Sequence, residues 1–275
     1  MGKLTLVTTP IGNLGDITYR AAETLKTANF IVAEDTRSLK ELLNHLGISL
    51  SEKKIISYHD QSSEQQLERL VEEMANVDVV YVSEAGSPYV SDPAYLLVQE
   101  CLKQGIEIEN MPGVSAVTTG LELSALPPIP FHFHGFLPRE NGKINKIFQD
   151  FKSIYGTHIF FEGVSRVEET LNTISQKFPE TDVVVARELT KKFQQVVRFN
   201  TKDWESVRGE IVFKGEFTIL LSNRNDQGAV PDEKVVALAK ELLDSFHTKK
   251  MAELLSLITG VNKKECYQRI LKSEK

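Results

Sequence analysis

The first half of the chain alternates short apolar runs with amphipathic segments. The runs are LTLVTT, NFIVAED, DVVYVSE and IEIENMPG, and each ends in polar residues, glycine or proline, as strands that stop in loops do. The segments between them place apolar residues at three- and four-residue intervals, which predicts helices. Strands that alternate with helices form mainly parallel sheets covered on both faces. We therefore expect an α/β fold whose ligand-binding loops lie at the carboxyl ends of the strands.

The second half follows another pattern, which begins at ALPPIPFHFHGFLPRE. Four prolines between Leu126 and Pro138 exclude a helix and favour a linker or hinge. Beyond it, the runs THIFFEG, DVVVARE, QQVVRFN and EFTILLSN predict a mixed sheet with few helices. Three helical segments follow the polar break NRNDQGAVPDEK, and the last two form a hairpin at Gly260. We expect α/β domains at residues 1–126 and 127–228, and a C-terminal helical appendage at residues 229–275.

The composition narrows the class of protein. A chain of 275 residues that is 41% hydrophobic and 25% charged is typical of a water-soluble globular protein with two domains. Its apolar stretches fall short of the ~20 residues that cross a membrane, and its start lacks the apolar segment of a signal peptide. We therefore expect no membrane association.

Cysteine, histidine and charge add three expectations. Cys101 and Cys266 lie far apart without a CxxC motif, which favours a cytoplasmic protein without disulfides or structural zinc. His132 and His134 would share one strand face, but two histidines without a third ligand predict no metal site. The net charge is −6, yet the segment from Phe246 onward holds seven Lys or Arg against three Glu. This asymmetry predicts a basic appendage on an acidic body, or simply a solvated helical tail.

Four strand ends in the first half carry ligand-binding residue types, in the loops TTPIGNLGD, AEDTR, SEAGSPYVSDP and NMPGVSA. The first follows a strand and precedes a helix, as a dinucleotide-binding loop does, but its spacing is G-x-x-G and it contains a proline. None of the four is a phosphate-binding Walker A loop. Glycine, proline, hydroxyl and acidic residues instead favour a sulfonium cofactor such as S-adenosylmethionine, which prefers acceptor oxygens to lysine.

The charged candidates also have structural interpretations. Asp35 can cap the helix that follows AEDTR, although this does not require the nearby arginine. In the second half, Glu162 with Arg166 and Arg187 with Glu188 come directly after strands. Either pair can be an internal ion pair, or the two can face a cleft together.

Seven stretches follow the order of a known family's signatures: TPIGNLGDIT, AEDTR, SEAGSPYVSDP, PGVSA, GFLP, FFEGVSR and ARELTK. In them the chain resembles the tetrapyrrole-methylase superfamily, the class III S-adenosylmethionine-dependent methyltransferases. Within it the likeness is to the bacterial 16S ribosomal RNA ribose-2′-O-methyltransferases, which modify a cytidine and carry similar C-terminal helices. The resemblance covers nearly the whole chain. It departs at FFEGVSR, where the family usually has FYEAPHR.

The resemblance implies a two-domain tetrapyrrole-methylase-like fold with S-adenosylmethionine in the cleft between the domains, and a homodimer. It places the cofactor contacts at Pro10, Gly12, Glu84, Gly86, Ser87, Val90, Ser115, Ala116, Phe161, Glu162, Ala186 and Arg187. It places Arg139, Lys143 and Arg166 toward the RNA. The catalytic candidates are Asp35, Arg37, Glu188 and Lys191, and the general base is not singled out among them.

The function that the resemblance implies is methyl transfer to a ribose 2′-hydroxyl of a 16S rRNA cytidine, with the small ribosomal subunit as partner. One alternative is a methyltransferase of the same fold that acts on a precorrin- or uroporphyrin-type tetrapyrrole. The other is a non-catalytic RNA- or ribosome-binding homologue that has lost turnover through the changes in FFEGVSR.

Overall fold

The computed structural model describes residues 2–59, 61–90, 94–224 and 248–272. Its first part is a parallel five-stranded sheet with the order β3-β2-β4-β1-β5. The strands are β1 (Lys3–Val7), β2 (Phe30–Ala33), β3 (Lys54–Ser57), β4 (Val79–Val82) and β5 (Glu107–Met111). The continuous apolar runs of β2 and β4 are buried throughout, as expected for central strands of a parallel sheet.

Helices cover both faces of this sheet. They are α1 (Tyr19–Thr27), α2 (Thr36–His45), α3 (Glu64–Met74) and α4 (Ala94–Lys103). One hydrophobic cluster packs Met74 of α3 and Leu97 of α4 against the sheet. Another packs Leu25 of α1 and Leu42 of α2 against it. Successive strand residues belong to alternate clusters because strand side chains point to alternate faces.

The second part is a mixed five-stranded sheet with the order β6-β7-β10-β8-β9. Its strands are β6 (Phe131–Phe136), β7 (Gly156–Glu162), β8 (Asp182–Arg187), β9 (Gln195–Asn200) and β10 (Phe217–Asn223). Strands β6 and β7 are parallel, and the other neighbouring pairs are antiparallel. The accompanying helices are α5 (Ala116–Ser124), α6 (Asn141–Ser153), α7 (Val167–Lys177) and the short α8 (Trp204–Val207). The predicted α/β fold with one parallel and one mixed sheet is confirmed.

The proline-rich stretch is more than the predicted linker. Its prolines at 127, 128 and 130 precede β6, which hydrogen-bonds to β7 at the edge of the second sheet. An edge position suits a strand that prolines precede, because it has neighbours on one side only. The predicted boundaries after residues 126 and 228 stay predictions, and the second falls outside the described residues.

Helix α5 joins the two sheets. It follows β5 of the first sheet, but Val117 packs in a cluster with Ile159, Val184 and Leu220 of the second. A Cβ added at Gly120 would lie 3.1 Å from Thr218 Cγ2 on β10. The missing side chain therefore lets α5 approach β10 closely.

At the C-terminus, α9 (Thr248–Thr259) and α10 (Lys263–Lys272) form the predicted hairpin around Gly260. The hairpin has its own small core, which includes Met251, Leu255 and Ile270. The first of the three predicted C-terminal helical segments, residues 233–246, lies outside the described part of the chain.

The described residues contain neither a membrane-spanning helix nor a cluster of metal ligands. No helix there has the length and apolarity needed to cross a membrane. No group of three or more His, Cys, Asp or Glu in the same ranges is arranged to hold a metal ion. A third histidine, His158, lies near His132 and His134. Its ring stacks on both of theirs and forms a hydrogen bond with His134.

This stack forms between β6 and β7. His158 is fully buried, with its ring centroid 5.0 Å from that of His132 and 5.2 Å from that of His134. Its Nε2 lies 2.9 Å from the Ile154 carbonyl oxygen, so it carries the proton and donates. Its Nδ1 then accepts from His134 Nε2 at 2.9 Å. Burial lowers the pKa of His158 to about 4, because a second proton would face the donor of His134 without solvent.

The buried histidine makes stability depend on pH. The unfolded chain binds a proton at this imidazole near pH 6.5, whereas the folded chain binds it only near pH 4. The stabilisation is thus complete above pH 6.5 and is lost as the pH falls toward 4, by about 3 kcal/mol for this group. We expect urea unfolding between pH 7.5 and 4.5 to show this loss, and a flatter profile for His158→Asn. Parallel profiles would contradict the assignment.

Candidate active site

The strand directions collect the predicted loops at two edges. All strands of the first sheet are parallel, so the loops after β1, β2, β4 and β5 leave from one edge. In the second sheet, β7 and β8 are both antiparallel to β10, and β6 is parallel to β7. The carboxyl ends of β6, β7 and β8 therefore also share one edge. The edge of the first sheet carries the glycine- and proline-bearing loops. The edge of the second sheet carries the GFLP, FFEGVSR and ARELTK stretches.

The opening loop, residues 8–18, is tied to the loop after β4 by backbone pairing. The Thr9 amide donates to the Gly86 carbonyl at 3.0 Å, and the Gly86 amide donates to the Thr9 carbonyl at 3.1 Å. Ser83 Oγ donates to the same Gly86 carbonyl at 2.9 Å. Gly86 has φ +80°, and an added Cβ would lie 3.3 Å from Ile11 Cγ2. Glycine therefore suits this position both in conformation and in space.

The same loop also contacts the loop after β5. The Thr8 amide donates to the Met111 carbonyl at 3.1 Å. A Cβ added at Gly113 would lie 2.9 Å from Thr8 Cγ2, so the backbone at Gly113 packs directly against the Thr8 side chain. Ser115 then caps α5 by accepting from the Val117 amide at 3.3 Å. This cap is a structural role for Ser115, which the resemblance places among the cofactor contacts.

The opening loop reaches the second sheet as well. Ile11 is buried in the cluster that contains Ala186 and Leu189. The Asn13 amide donates at 3.1 Å to Thr190 Oγ1, 177 positions away in the chain. A Cβ added at Gly12 would meet the side chain of Lys191. The opening loop is thus the joint between the two sheets.

The predicted cofactor residues differ in their exposure to solvent. Exposed positions are Gly12, Glu84 and Val90; half-buried positions are Ser87, Ser115, Ala116 and Phe161. Buried positions are Pro10, Gly86, Glu162, Ala186 and Arg187. Residues 8–18, 83–90 and 112–115 contain no Lys or Arg. Their hydroxyls and carbonyls fit a sulfonium-bearing adenosine cofactor and do not fit a polyphosphate.

Asp35 caps α2, as the structural alternative predicts. Its Oδ1 accepts from the Arg37 amide at 2.6 Å and the Ser38 amide at 3.3 Å. Its Oδ2 lies 2.6 Å from Arg37 Nη2, and the Arg37 side chain is 87% exposed. The side-chain and backbone hydrogen bonds from Arg37 lower the pKa of Asp35 to about 2. The carboxylate is therefore a weak base, while the guanidinium stays accessible.

Glu188 and Lys191 form a network with Glu216. Lys191 Nζ lies 3.0 Å from both carboxylates, and the Glu216 amide donates to Glu188 Oε1 at 3.0 Å. Burial raises the pKa of Glu188, but these hydrogen bonds outweigh it and hold the pKa below its ordinary value. Burial lowers the pKa of Lys191, and its two carboxylates outweigh that effect and raise the pKa. Glu188 is thus a carboxylate and Lys191 an ammonium at neutral pH.

Glu162 and Arg166 clamp the connections of the second sheet. The Glu162 side chain is 1% exposed, and its Oε1 lies 2.6 Å from Arg166 Nη2. Thr170 Oγ1 donates to its Oε2 at 2.9 Å. The same guanidinium donates to the carbonyls of Leu137 at 2.7 Å and Pro138 at 3.1 Å. The structural interpretation of this pair therefore holds, and Arg166 links β6, β7 and α7.

The remaining charged candidates separate into internal and exposed groups. Arg187 is buried and donates to the carbonyls of Lys214 and Phe193. Arg139 and Lys143 are exposed, and Lys143 pairs with the equally exposed Glu140 at 2.9 Å. Arg187 thus holds loops together, whereas Arg139 and Lys143 are accessible to a ligand in solvent.

Comparison with known proteins assigns the family. The model of the Tetrapyrrole (Corrin/Porphyrin) Methylases matches residues 3–204, which is most of the chain. The chain belongs to the tetrapyrrole methylase family, and the predicted membership is confirmed. It is also 35% identical, over 274 residues, to Ribosomal RNA small subunit methyltransferase I of Halalkalibacterium halodurans, covering 97% of this chain and 93% of that one.

Solved structures share the fold of this chain at low identity. The crystal structure of a diphthine synthase matches with a TM-score of 0.62 at 15% identity, covering 82% of this chain and 90% of that one. Uroporphyrin-III C-methyltransferase from Thermus thermophilus, complexed with S-adenyl homocysteine, matches with a TM-score of 0.55 at 18% identity. That match covers 81% of this chain and 98% of that one. These structures support the two-sheet architecture.

The buried clamp predicts a stability difference between two carboxylates. Glu162→Gln leaves the Arg166 guanidinium without its charge partner at a buried site, so we expect a loss of about 2 kcal/mol in unfolding free energy. The control is Glu168→Gln, whose exposed pair with Arg208 contributes less than about 1 kcal/mol. Urea denaturation of the three proteins measures both effects. Equal stabilities would show that the clamp contributes nothing.

Proposed function

We propose that this protein transfers a methyl group from S-adenosylmethionine to a ribose 2′-hydroxyl of a cytidine in 16S rRNA, with the small ribosomal subunit as substrate. The observation that carries the proposal is the 35% sequence identity, over nearly the full length of both chains, to a ribosomal RNA small subunit methyltransferase. The loops at residues 8–18, 83–90 and 112–115 also support the proposal, because they contain no Lys or Arg and therefore suit a sulfonium better than a phosphate. The family relative complexed with S-adenyl homocysteine, the demethylated form of the cofactor, supports the choice of cofactor.

The loops around the joint would hold the cofactor. Their hydroxyl and carbonyl oxygens suit a sulfonium, and the half-buried Ser87 and Ala116 suit a ligand that is partly covered. When bound, S-adenosylmethionine supplies a methyl group that needs no further activation. The pairing of Thr9 with Gly86 keeps the loops in place before any ligand arrives, which lowers the entropic cost of binding.

Catalysis then depends mainly on alignment. The ribose oxygen forms a bond to the methyl carbon as the carbon–sulfur bond breaks in line, and holding the two in position supplies much of the rate. Asp35 has a pKa of about 2, and Glu188 and Lys191 neutralise each other, so each of the three is poorly matched to proton abstraction near neutral pH. We assign these three residues to holding the loops in position. In this proposal the proton of the ribose hydroxyl passes to water.

Exposed cations would bind the RNA backbone. Arg37, Arg139 and Lys143 lie on exposed surface, and the C-terminal hairpin adds further Lys and Arg. Contacts of this kind position RNA through its phosphates, while sequence is read on unpaired nucleotides. Arg166 acts through the loop that it clamps. The expected homodimer stays a prediction.

Two alternatives use the same fold. A tetrapyrrole substrate has only fold-level support, because the solved relatives that act on uroporphyrin are 18% identical or less. A non-catalytic homologue rests on the FFEGVSR departure. In that stretch, however, Glu162 and Arg166 retain an intact clamp.

The direct test is methyl transfer to ribosomal subunits. The protein is incubated with methyl-labelled S-adenosylmethionine and small subunits from a strain that lacks this modification. We expect label in 16S rRNA at a ribose 2′-oxygen, located by nuclease digestion and mass spectrometry. Label in a uroporphyrin or precorrin instead would favour the first alternative. Cofactor binding without any transfer would favour the second.

The cofactor site has a matched pair of glycine variants. Gly86→Ala places a Cβ at φ +80° and 3.3 Å from Ile11, in the joint, whereas Gly47→Ala does so at φ +66° in open space. Both variants should lose about 1 kcal/mol of stability through backbone strain. Only Gly86→Ala should weaken S-adenosylmethionine binding, by about tenfold in calorimetry. Equal affinities for the two variants would exclude this loop from the cofactor site.

A further inference from the structure

The loop after β8 is held in a strained and well-defined conformation. This β8 loop, residues 188–194, contains Glu188 at φ 51° and Thr190 at φ 65°, both in the left-handed region. Such backbone costs free energy in residues other than glycine and persists only where its surroundings hold it. Here Thr190 donates its amide to Gln194 Oε1 at 2.7 Å and accepts from Asn13 at 3.1 Å. Arg187 Nη1 donates to the Phe193 carbonyl at 3.0 Å.

The tip of this loop presents an aromatic ring and a cation to solvent. Phe193 is 67% exposed although its backbone is fixed. Lys192 is also exposed, with Nζ 5.6 Å from the Phe193 ring centroid. By contrast, the exposed Phe136 at the other end of the same sheet edge packs on Phe161, at 5.4 Å between centroids. Among the residues that the structure describes, Phe193 stacks on no second aromatic ring, and Lys192 forms a cation–π contact with it.

The tip lies beside the joint and not at a remote surface. Thr190, three residues earlier, is hydrogen-bonded to the opening loop, and Lys191 packs against Gly12. Lys214, whose carbonyl accepts from Arg187, adds an exposed ammonium from the neighbouring turn. Neither Lys192 nor Lys214 forms a salt bridge with a residue that the structure describes. The side of the joint thus carries an exposed ring on a fixed backbone, flanked by two exposed cations.

We propose that Phe193 is a base-stacking platform for an unpaired nucleotide next to the methylated one, with Lys192 on an adjacent phosphate. The inference rests on the proposed function, since it requires a single-stranded RNA segment in the cleft. Aromatic rings that stack on splayed bases and cations that track the backbone are the usual means of binding single strands. A fixed loop suits this task because the ring loses little freedom when the base arrives.

The test compares Phe193→Ala with Phe193→Trp in the full-length protein. Loss of one stacked base weakens binding about 5- to 150-fold, so Phe193→Ala should raise KM for unmethylated small subunits within that range. We expect kcat and the Kd for S-adenosylmethionine to change less than about twofold. Phe193→Trp should keep the wild-type KM, because stacking tolerates any aromatic ring. Leu102→Ala, which removes a 60% exposed apolar side chain at the far end of α4, is the matched control.

Direct binding to small subunits, measured without turnover, separates this inference from the proposed function. If the wild type binds subunits but does not methylate them, the proposed function fails, and weaker binding by Phe193→Ala still supports the platform. Wild-type binding and KM in Phe193→Ala would overturn the platform. Equal losses in Phe193→Ala and Phe193→Trp would overturn it too, because a stacked base tolerates tryptophan.

Discussion

The backbone pairing of Thr9 with Gly86 is the constraint on which the site depends. It holds the opening loop against the loop after β4, and the same loop reaches β5 through Thr8 and the second sheet through Asn13. One short segment therefore contacts loops from both sheets. Backbone amides and carbonyls make most of these contacts, so the arrangement of the loops depends little on which side chains they carry.

Most of the acidic and basic candidates serve to hold loops. Asp35 caps a helix, Glu162 clamps Arg166, and Glu188 shares Lys191 with another carboxylate. Each loop is thereby rigid before it meets a substrate. A reaction whose methyl donor is already activated needs such rigidity more than it needs a strong base, because alignment supplies the rate. The electrostatics of the site and the proposed chemistry thus agree.

The parts of the fold that sequence patterns missed share one cause. Strand β3 is a short edge strand that begins at a lysine, and β6 follows a run of prolines. Helix α5 carries a glycine and two threonines, and it packs against β10. Local propensity is weak in all three, and tertiary contacts determine their structure.

The amino-acid sequence by itself determined the family, because seven motifs in a fixed order specify it, and the alternation of strands and helices in the first half. It also predicted candidate ligand-binding loops at the ends of strands, because ligands of parallel sheets bind at the carboxyl ends of the strands. Only the tertiary structure decided what the charged residues do. Whether Arg166 faces a ligand or a buried carboxylate depends on side-chain contacts with Glu162 and Pro138. Contacts such as Asn13 to Thr190 join residues 177 positions apart, a separation over which no local pattern carries information.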